Sequence, residues 1–286
     1  MKKFATGALL FAFLALLPAG TAQAQVRLGF RLSGGLSTLS GGDLNQGAEG
    51  WSEYYRLDTL HDYSPVGEFE PLHMGFDFAG DLILQFNSQI GIGVGSGLLA
   101  ASKSFPMDYT HPGWDPVAYT SRTTVRAVPF RLSLYYFLRL GSKFQVAFRL
   151  GGEYYWADLK LKIRAENQSY FEDYDFKAAG GGPGLYGGLG LEVALSPALS
   201  LVLDLTGRWA TLSNFKGDFI VSNTWSYGLT PDADLYFFNA FDPPFGTFPL
   251  LFMSSAEPSG PIYSDVRRAR VDFSGLSAAL GFLFRF

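Results

Sequence analysis

Histidine is the side chain a general base or an acyl-transfer site would use near neutral pH, and the sequence has three: His61, His73 and His111. None has a serine two residues on, because the chain runs His61-Asp62-Tyr63, His73-Met74-Gly75 and His111-Pro112-Gly113. His73 and Asp77 share parity in one alternating segment, as a base and its orienting acid would. A hydrogen-bonded rim histidine is the plainer reading. Glu172, Asp173 and Asp175 offer oxygens to a divalent cation, although an ordinary solvated turn accounts for them better. The run Gly180-Gly181-Gly182-Pro183-Gly184 reads as a loop-to-strand hinge, and no phosphate-cradling loop, dinucleotide fingerprint or zinc spacing occurs. The expectation is no catalytic residue, no metal and no cofactor.

A larger ionic set is Arg27, Arg31, Asp77, Asp81, Arg131, Arg149, Glu153, Glu192, Asp204 and Arg208, all on the polar side of segments whose other side is apolar. Such alternation spans residues 72–86, where Leu72, Met74, Phe76, Phe78, Leu82, Leu84 and Phe86 oppose His73, Gly75, Asp77, Ala79, Asp81, Ile83 and Gln85. Segments of the same kind cover about 26–39, 90–98, 123–138, 144–156, 184–195, 199–211 and 271–286. Eight strands result. Glycines 91, 93, 95 and 97 fall on the polar side of the third, and Pro129 marks a bulge or local break in the fourth. Beyond Trp156, Leu159, Leu161 and Ile163 change parity, which suggests a bulge or a strand leaving a membrane.

Connections near Asn87, Gly141 and Pro197 are short, whereas 40–71, 102–122, 164–183 and 212–270 are long. This rhythm predicts an all-β, antiparallel, up-and-down transmembrane barrel of eight strands, with short periplasmic turns and long extracellular loops. The composition agrees: 27 Phe and 15 Tyr suit lipid interfaces, and 34 Gly suit a crowded interior. Trp156 and Trp209 fit the outer girdle, and Phe86, Phe144 and Phe286 the periplasmic one. Arg126, on the apolar side, belongs near the outer rim, within reach of lipopolysaccharide phosphates. No plug or soluble domain is expected.

Residues 1–24 read as a cleaved signal peptide: Lys2 and Lys3, an apolar run over 8–17, Pro18, then Ala22-Gln23-Ala24. The barrel domain then occupies 25–286. Losing Lys2 and Lys3 leaves 20 basic against 26 acidic residues, which argues against nucleic-acid binding. Cysteine is absent, so disulfides and thiolate metal sites are excluded.

Three features carry a resemblance: the terminal Gly281-x-x-Phe284-x-Phe286, the proline-bearing strand Val128-Pro129-Phe130-Arg131-Leu132-Ser133-Leu134-Tyr135-Tyr136-Phe137, and the hairpin rhythm. The chain is similar to the small eight-stranded outer-membrane β-barrel family, which includes OmpA-like transmembrane domains and OmpX-like barrels. That resemblance implies residence in the outer membrane, contact with its lipid and lipopolysaccharide, and Gly281, Phe284 and Phe286 as a signal for the barrel-assembly machinery. It leaves function open, because the family has structural, adhesive, pore-forming and enzymatic members.

An eight-stranded barrel is only wide enough for its own side chains, so its inward charges must pair. Counted from the periplasmic end, Arg31, Asp81, Arg131, Arg149, Glu192 and Asp204 fall near one level, and Asp77, Glu153 and Arg208 belong to the same lumen network. An ion-pair plug closing the lumen is expected, with a proton or ion path and a catalytic use as alternatives. The fourth long loop, richer in aromatics than solvent tolerates, either folds as a lid or presents Trp225, Tyr236, Phe237, Phe238, Phe241 and Phe245 to an extracellular protein, glycan or lipid. The resulting expectation is a role in envelope structure or surface interaction. The rivals are a narrow passive pore and a lipid-modifying enzyme using His73.

Overall fold

The computed structural model describes residues 26–56, 63–243 and 246–286. The expected signal peptide at 1–24, His61 and Phe245 lie outside these.

In chain order the elements are β1 (Arg27–Thr38), β2 (Gly41–Gly42), α1 (Asp43–Tyr54), β3 (Ser64–Val66), β4 (Met74–Gln85), β5 (Ile90–His111), β6 (Trp114–Arg139) and β7 (Phe144–Glu166). There follow β8 (Phe171–Ala194), β9 (Leu199–Trp209), β10 (Thr211–Asn223), β11 (Tyr227–Asp242), β12 (Gly246–Ser254), β13 (Tyr263–Arg268), β14 (Val271–Asp272) and β15 (Gly275–Arg285). Eight of the strands close a ring, β1-β4-β5-β6-β7-β8-β9-β15, in which every pairing is antiparallel. Its outer face is an apolar band: Leu132 is 63% exposed, whereas inward-facing Asp81 is 1% exposed. Only a hydrocarbon surround makes that distribution favourable.

Two walks around the ladder reveal the stagger. From Arg31 one row runs through Asp81, Gly95, Arg131 and Glu153 to Gly184; the other way it runs through Leu283 and Ser200 to Ala194, ten residues along β8. The strands are therefore strongly tilted, and counting residues from the periplasmic end does not give height.

The ring is tall on one side. Strands β5 to β8 continue well above the apolar band, so the expected loops at 102–122 and 164–183 are hairpins of the same strands. The parity change at Leu159, Leu161 and Ile163 is no bulge: β7 pairs with β6 and β8 without a register shift along its length. These three residues stay on the inner face, where all are buried, while Asp158, Lys160 and Lys162 take the outer one. Pro129 interrupts the ladder to β5 at 128–129, yet the register resumes unchanged, as expected of a residue lacking an N–H donor.

Above the band the wall forks. Strand β8 pairs with β9 below and with β10 above, and β11 and β12 extend the sheet from there. The fourth long segment is thus mostly sheet. The first is corrected more sharply, since residues 43–54 form α1, which sits in the concave side of this sheet. A Cβ on Gly50 would overlap the Pro249 carbonyl oxygen, so glycine there lets helix and strand backbones touch. Trp51 Nε1 donates to the Leu251 carbonyl at 2.8 Å, and Arg267 and the Arg270 N–H hold Asp43 at the start of the helix. Around them Leu44, Tyr109, Tyr119, Leu161, Phe176, Phe215, Leu235 and Leu251 form a buried core. No plug or soluble domain was expected, but a packed head caps the barrel.

Candidate functional site

The inward charges form three groups rather than one level. In the first, Arg31 Nε donates to Asp81 at 3.1 Å and its Nη1 reaches Asp204 at 3.5 Å; Arg149 reaches the same Asp204 oxygen at 3.1 Å. Arg31 also donates to the Tyr135 hydroxyl at 3.2 Å, and Arg149 to Thr206 at 2.8 Å. In the second, Arg131 bonds Glu153 at 2.6 Å and approaches Asp77 at 3.6 Å, while Arg208 bonds Asp77 at 2.9 Å. Ser277, Ser37 and the Thr38 carbonyl complete the Arg208 shell, and the Tyr155 hydroxyl donates to Glu153. In the third, Glu192 pairs with Arg285, which also donates to Ser200 at 2.6 Å. The placement of Arg131 and Glu192 corrects the single-level reading, and the ten-residue stagger is the reason. Arg285 was not counted among the inward charges, although it shares parity with Gly281 and Ala279.

Glycine makes this crowding feasible. A Cβ on Gly95 would overlap Asp81 Oδ1, and one on Gly190 would lie 2.7 Å from Asp204 Oδ1. Below the first two groups, Ile83, Tyr135, Phe137, Ala147, Val202 and Leu283 form a second apolar cluster. Beneath it a cavity of about 10 Å³ opens among Arg27, Gln85, Phe137 and Arg285, room for roughly one water. Apart from the Glu192–Arg285 pair beside that cavity, the lumen is therefore filled in three layers: apolar, ionic, then the aromatic core of the head.

His73 and Asp77 are not brought together. The exposed His73 ring contacts the Leu39 carbonyl at 3.3 Å through Nδ1, while the Asp77 carboxylate is engaged by Arg208 and Ser277. Each loop acid has a protein partner. Glu172 accepts from Tyr55 at 2.6 Å and Tyr174 at 2.8 Å, Asp173 pairs with Arg164 at 2.8 Å, and Asp175 pairs with Lys177 at 2.8 Å. Burial, reinforced by Tyr174 and Glu172, pushes the Tyr55 phenol well above its usual range. No group of three or more His, Asp or Glu suited to a metal occurs among the described residues.

The aromatic segment divides. Tyr236, Phe237 and Phe238 are buried, so they do not form the expected binding surface; the run Leu235-Tyr236-Phe237-Phe238 is covered on both faces of β11. That continuous apolar run was the available signal. Trp225 and Phe241 remain exposed. Trp225 sits at the β10–β11 turn, where Asn223 Oδ1 accepts from its N–H at 2.9 Å, and its ring lies 5.6 Å from that of Tyr170 on the neighbouring turn. At the other end of the barrel Phe284 and Phe286 face outward, the Phe286 N–H donates to the Leu28 carbonyl at 2.9 Å, and Gly281 sits against the Leu32 carbonyl.

Residues 9–230 match the family described as outer membrane protein beta-barrel domain. Among solved structures, the chain is similar to the outer membrane protein OprG from Pseudomonas aeruginosa, at 12% identity over 90% of this chain and 95% of that one, with a TM-score of 0.38. It is also similar to a major outer membrane protein from Thermus thermophilus, at 14% identity, coverage of 91% and 99% and a TM-score of 0.40. A third likeness is to the outer membrane protease OmpT from Escherichia coli, at 9% identity, coverage of 91% and 96% and a TM-score of 0.32. Among curated proteins, none matches the chain.

Proposed function

The chain belongs to the outer membrane protein beta-barrel domain family and resides in the outer membrane, and on that premise we propose that it is a non-conducting envelope protein that works through its extracellular head. One observation carries this reading: Arg31, Asp81, Arg149 and Asp204 interlock across the lumen, with an apolar cluster beneath and a buried aromatic core above. An ion crossing would have to break buried pairs and then enter two apolar layers, each unfavourable to charge. The head, in turn, offers rigid hairpin tips such as the Trp225 and Tyr170 pair to an extracellular protein or glycan. We also propose Gly281, Phe284 and Phe286 as the assembly signal, since they end the strand that closes the ring. A catalytic role finds no support in the His73 and Asp77 geometry.

The deciding experiment is planar-bilayer recording of the purified protein. No unitary currents are expected from the wild type. Stable currents that change when Arg149 or Asp204 is neutralised would establish the pore instead. Lipid-A mass spectrometry with and without the protein tests the enzymatic rival, for which a His73-dependent acyl change is the diagnostic result.

A further inference from the structure

Ion pairing is nearly universal among the cations above the apolar band. Arg56, Lys103, Arg164, Lys177, Lys216, Arg267 and Arg268 each have a carboxylate partner. Among the described residues in that region the exceptions are Arg270 and four others, Arg122, Arg126, Lys160 and Lys162. The four are exposed and share the outer face of β6 and β7. Arg122 lies directly opposite Lys162, and Lys160 lies between Thr124 on one side and Lys177 on the other. Like charges directly opposite on one face of a sheet destabilise it, so the Arg122–Lys162 and Lys160–Lys177 pairings do not serve the fold. Asp158 and Asp175 oppose Arg126 and Lys162 in the ladder, but they form no ion pair with them.

Height identifies what the patch meets. Trp156 and Val128, a cross-strand pair on the lipid face, mark the top of the apolar band. Arg126 is two residues above that level, Lys160 four, and Lys162 with Arg122 six. At about 3.3 Å per residue along strands tilted by roughly 40°, the cations climb from about 5 Å to about 15 Å above the hydrocarbon edge. A glycerophospholipid headgroup layer is only about 5–8 Å thick, so its phosphates meet the lowest cation alone. Anions at both heights are provided by a lipid whose phosphates lie on its membrane-level sugars and on the saccharide above them.

We propose that Arg122, Arg126, Lys160 and Lys162 form a binding site for the phosphate groups of lipopolysaccharide on the outer wall of β6 and β7. The guanidinium groups take phosphate oxygens in bidentate fashion, and the two lysines supply point charges between them. The site lies on the tall side of the barrel, where the wall stands within the saccharide layer, and it would hold a lipid against the head.

The test uses the full-length protein, delipidated in detergent and titrated with phosphorylated lipopolysaccharide. Parallel arms use the same lipopolysaccharide after phosphatase treatment, phosphatidylglycerol, and inorganic phosphate. The variant carries Arg122→Gln, Arg126→Gln, Lys160→Gln and Lys162→Gln. A charge-matched control carries Arg56→Gln, Lys103→Gln, Lys216→Gln and Arg268→Gln. Heat-modifiable gel migration verifies that both are folded. The variant is expected to bind lipopolysaccharide about a hundredfold more weakly, and the control less than about threefold more weakly. Dephosphorylated lipopolysaccharide should bind the wild type as weakly as the intact lipid binds the variant, with phosphatidylglycerol and free phosphate weaker still. Unchanged affinity in the variant, an equal loss in the control, or equal binding of phosphatidylglycerol would each overturn the site.

Discussion

The lower and upper halves of β7 are one uninterrupted strand with opposite dress. Below Trp156 the outer face carries Phe148, Leu150 and Tyr154 and the inner face Arg149 and Glu153; above it the outer face carries Asp158, Lys160 and Lys162 and the inner face Leu159, Leu161 and Ile163. The backbone period of two is unchanged. Only the solvent differs, with hydrocarbon outside the lower half and water outside the upper. The lower half is therefore a barrel that buries its charges, and the upper half is half of an ordinary hydrophobic sandwich filled by α1 and β12. The same rule, apolar groups away from water, produces both.

The largest effect should come from orphaning a charge in the lower half. Asp77→Ala leaves Arg208 and Arg131 without their shared carboxylate and is expected to cost about 3–5 kcal/mol, read by urea unfolding in detergent. Restoring much of that loss with a second change, Arg208→Met, would identify the unpaired charge as its cause. If Asp77→Ala proves silent, the lower half is not held by its ion pairs. In the upper half, Leu251→Ala removes a fully buried side chain beside Trp51 and should cost about 2–5 kcal/mol. Hydrogen exchange should then rise in α1, β11 and β12 while the transmembrane ladder stays protected; loss of protection in both halves would show one cooperative unit.

A smaller pair of substitutions tests where the boundary lies. Leu150→Lys places a charge against hydrocarbon and should cost about 2–4 kcal/mol, whereas Lys160→Leu, ten residues higher on the same face, should shift stability by less than about 0.5 kcal/mol. Equal effects would erase the distinction between the halves. The smallest effect is on pH dependence. Because the folded head raises the Tyr55 phenol above its unfolded value of 10.0, the stability it contributes is fully present below that pH and is lost as the pH climbs further. Limited proteolysis of the head across the alkaline range should show the loss, and Tyr55→Phe should reduce it without abolishing it, because burial also raises Tyr109, Tyr119 and Tyr174; an unaltered profile would remove Tyr55 from the account.

Within the apolar band the strands were legible, because lipid on one side and a packed lumen on the other impose strict alternation on Met74 to Gln85 and on Leu199 to Trp209; Leu72, read as lipid-facing, is instead buried in the core of the head. Above the band legibility failed for a definite reason. Alternation persisted through Leu159, Leu161 and Ile163, but with its polarity exchanged between faces it allowed two readings, a bulge or a strand leaving the membrane, and the unshifted register bears out the second. Helix α1 was hidden by Gly47 and Gly50, poor helix formers that the chain keeps for contact with Leu251 and Pro249. Of the lumen charges, the residue types and their inward parity could be read, but not their partners.

What the order of residues determined by itself was local: which side of each ribbon is apolar, how many ribbons cross, and that the last one closes on an aromatic end. Which arginine meets which carboxylate was decided by the ten-residue stagger of the closed ring, a property of the whole ladder that no single strand encodes. The head was likewise decided in three dimensions, since Trp51, Phe176 and Leu251 are distant in sequence and become a core only after β8 has forked and α1 has folded into the hollow. Alternation is a short-range signal that solvent writes on each strand, whereas partners and cores depend on where strands far apart in the chain come to lie.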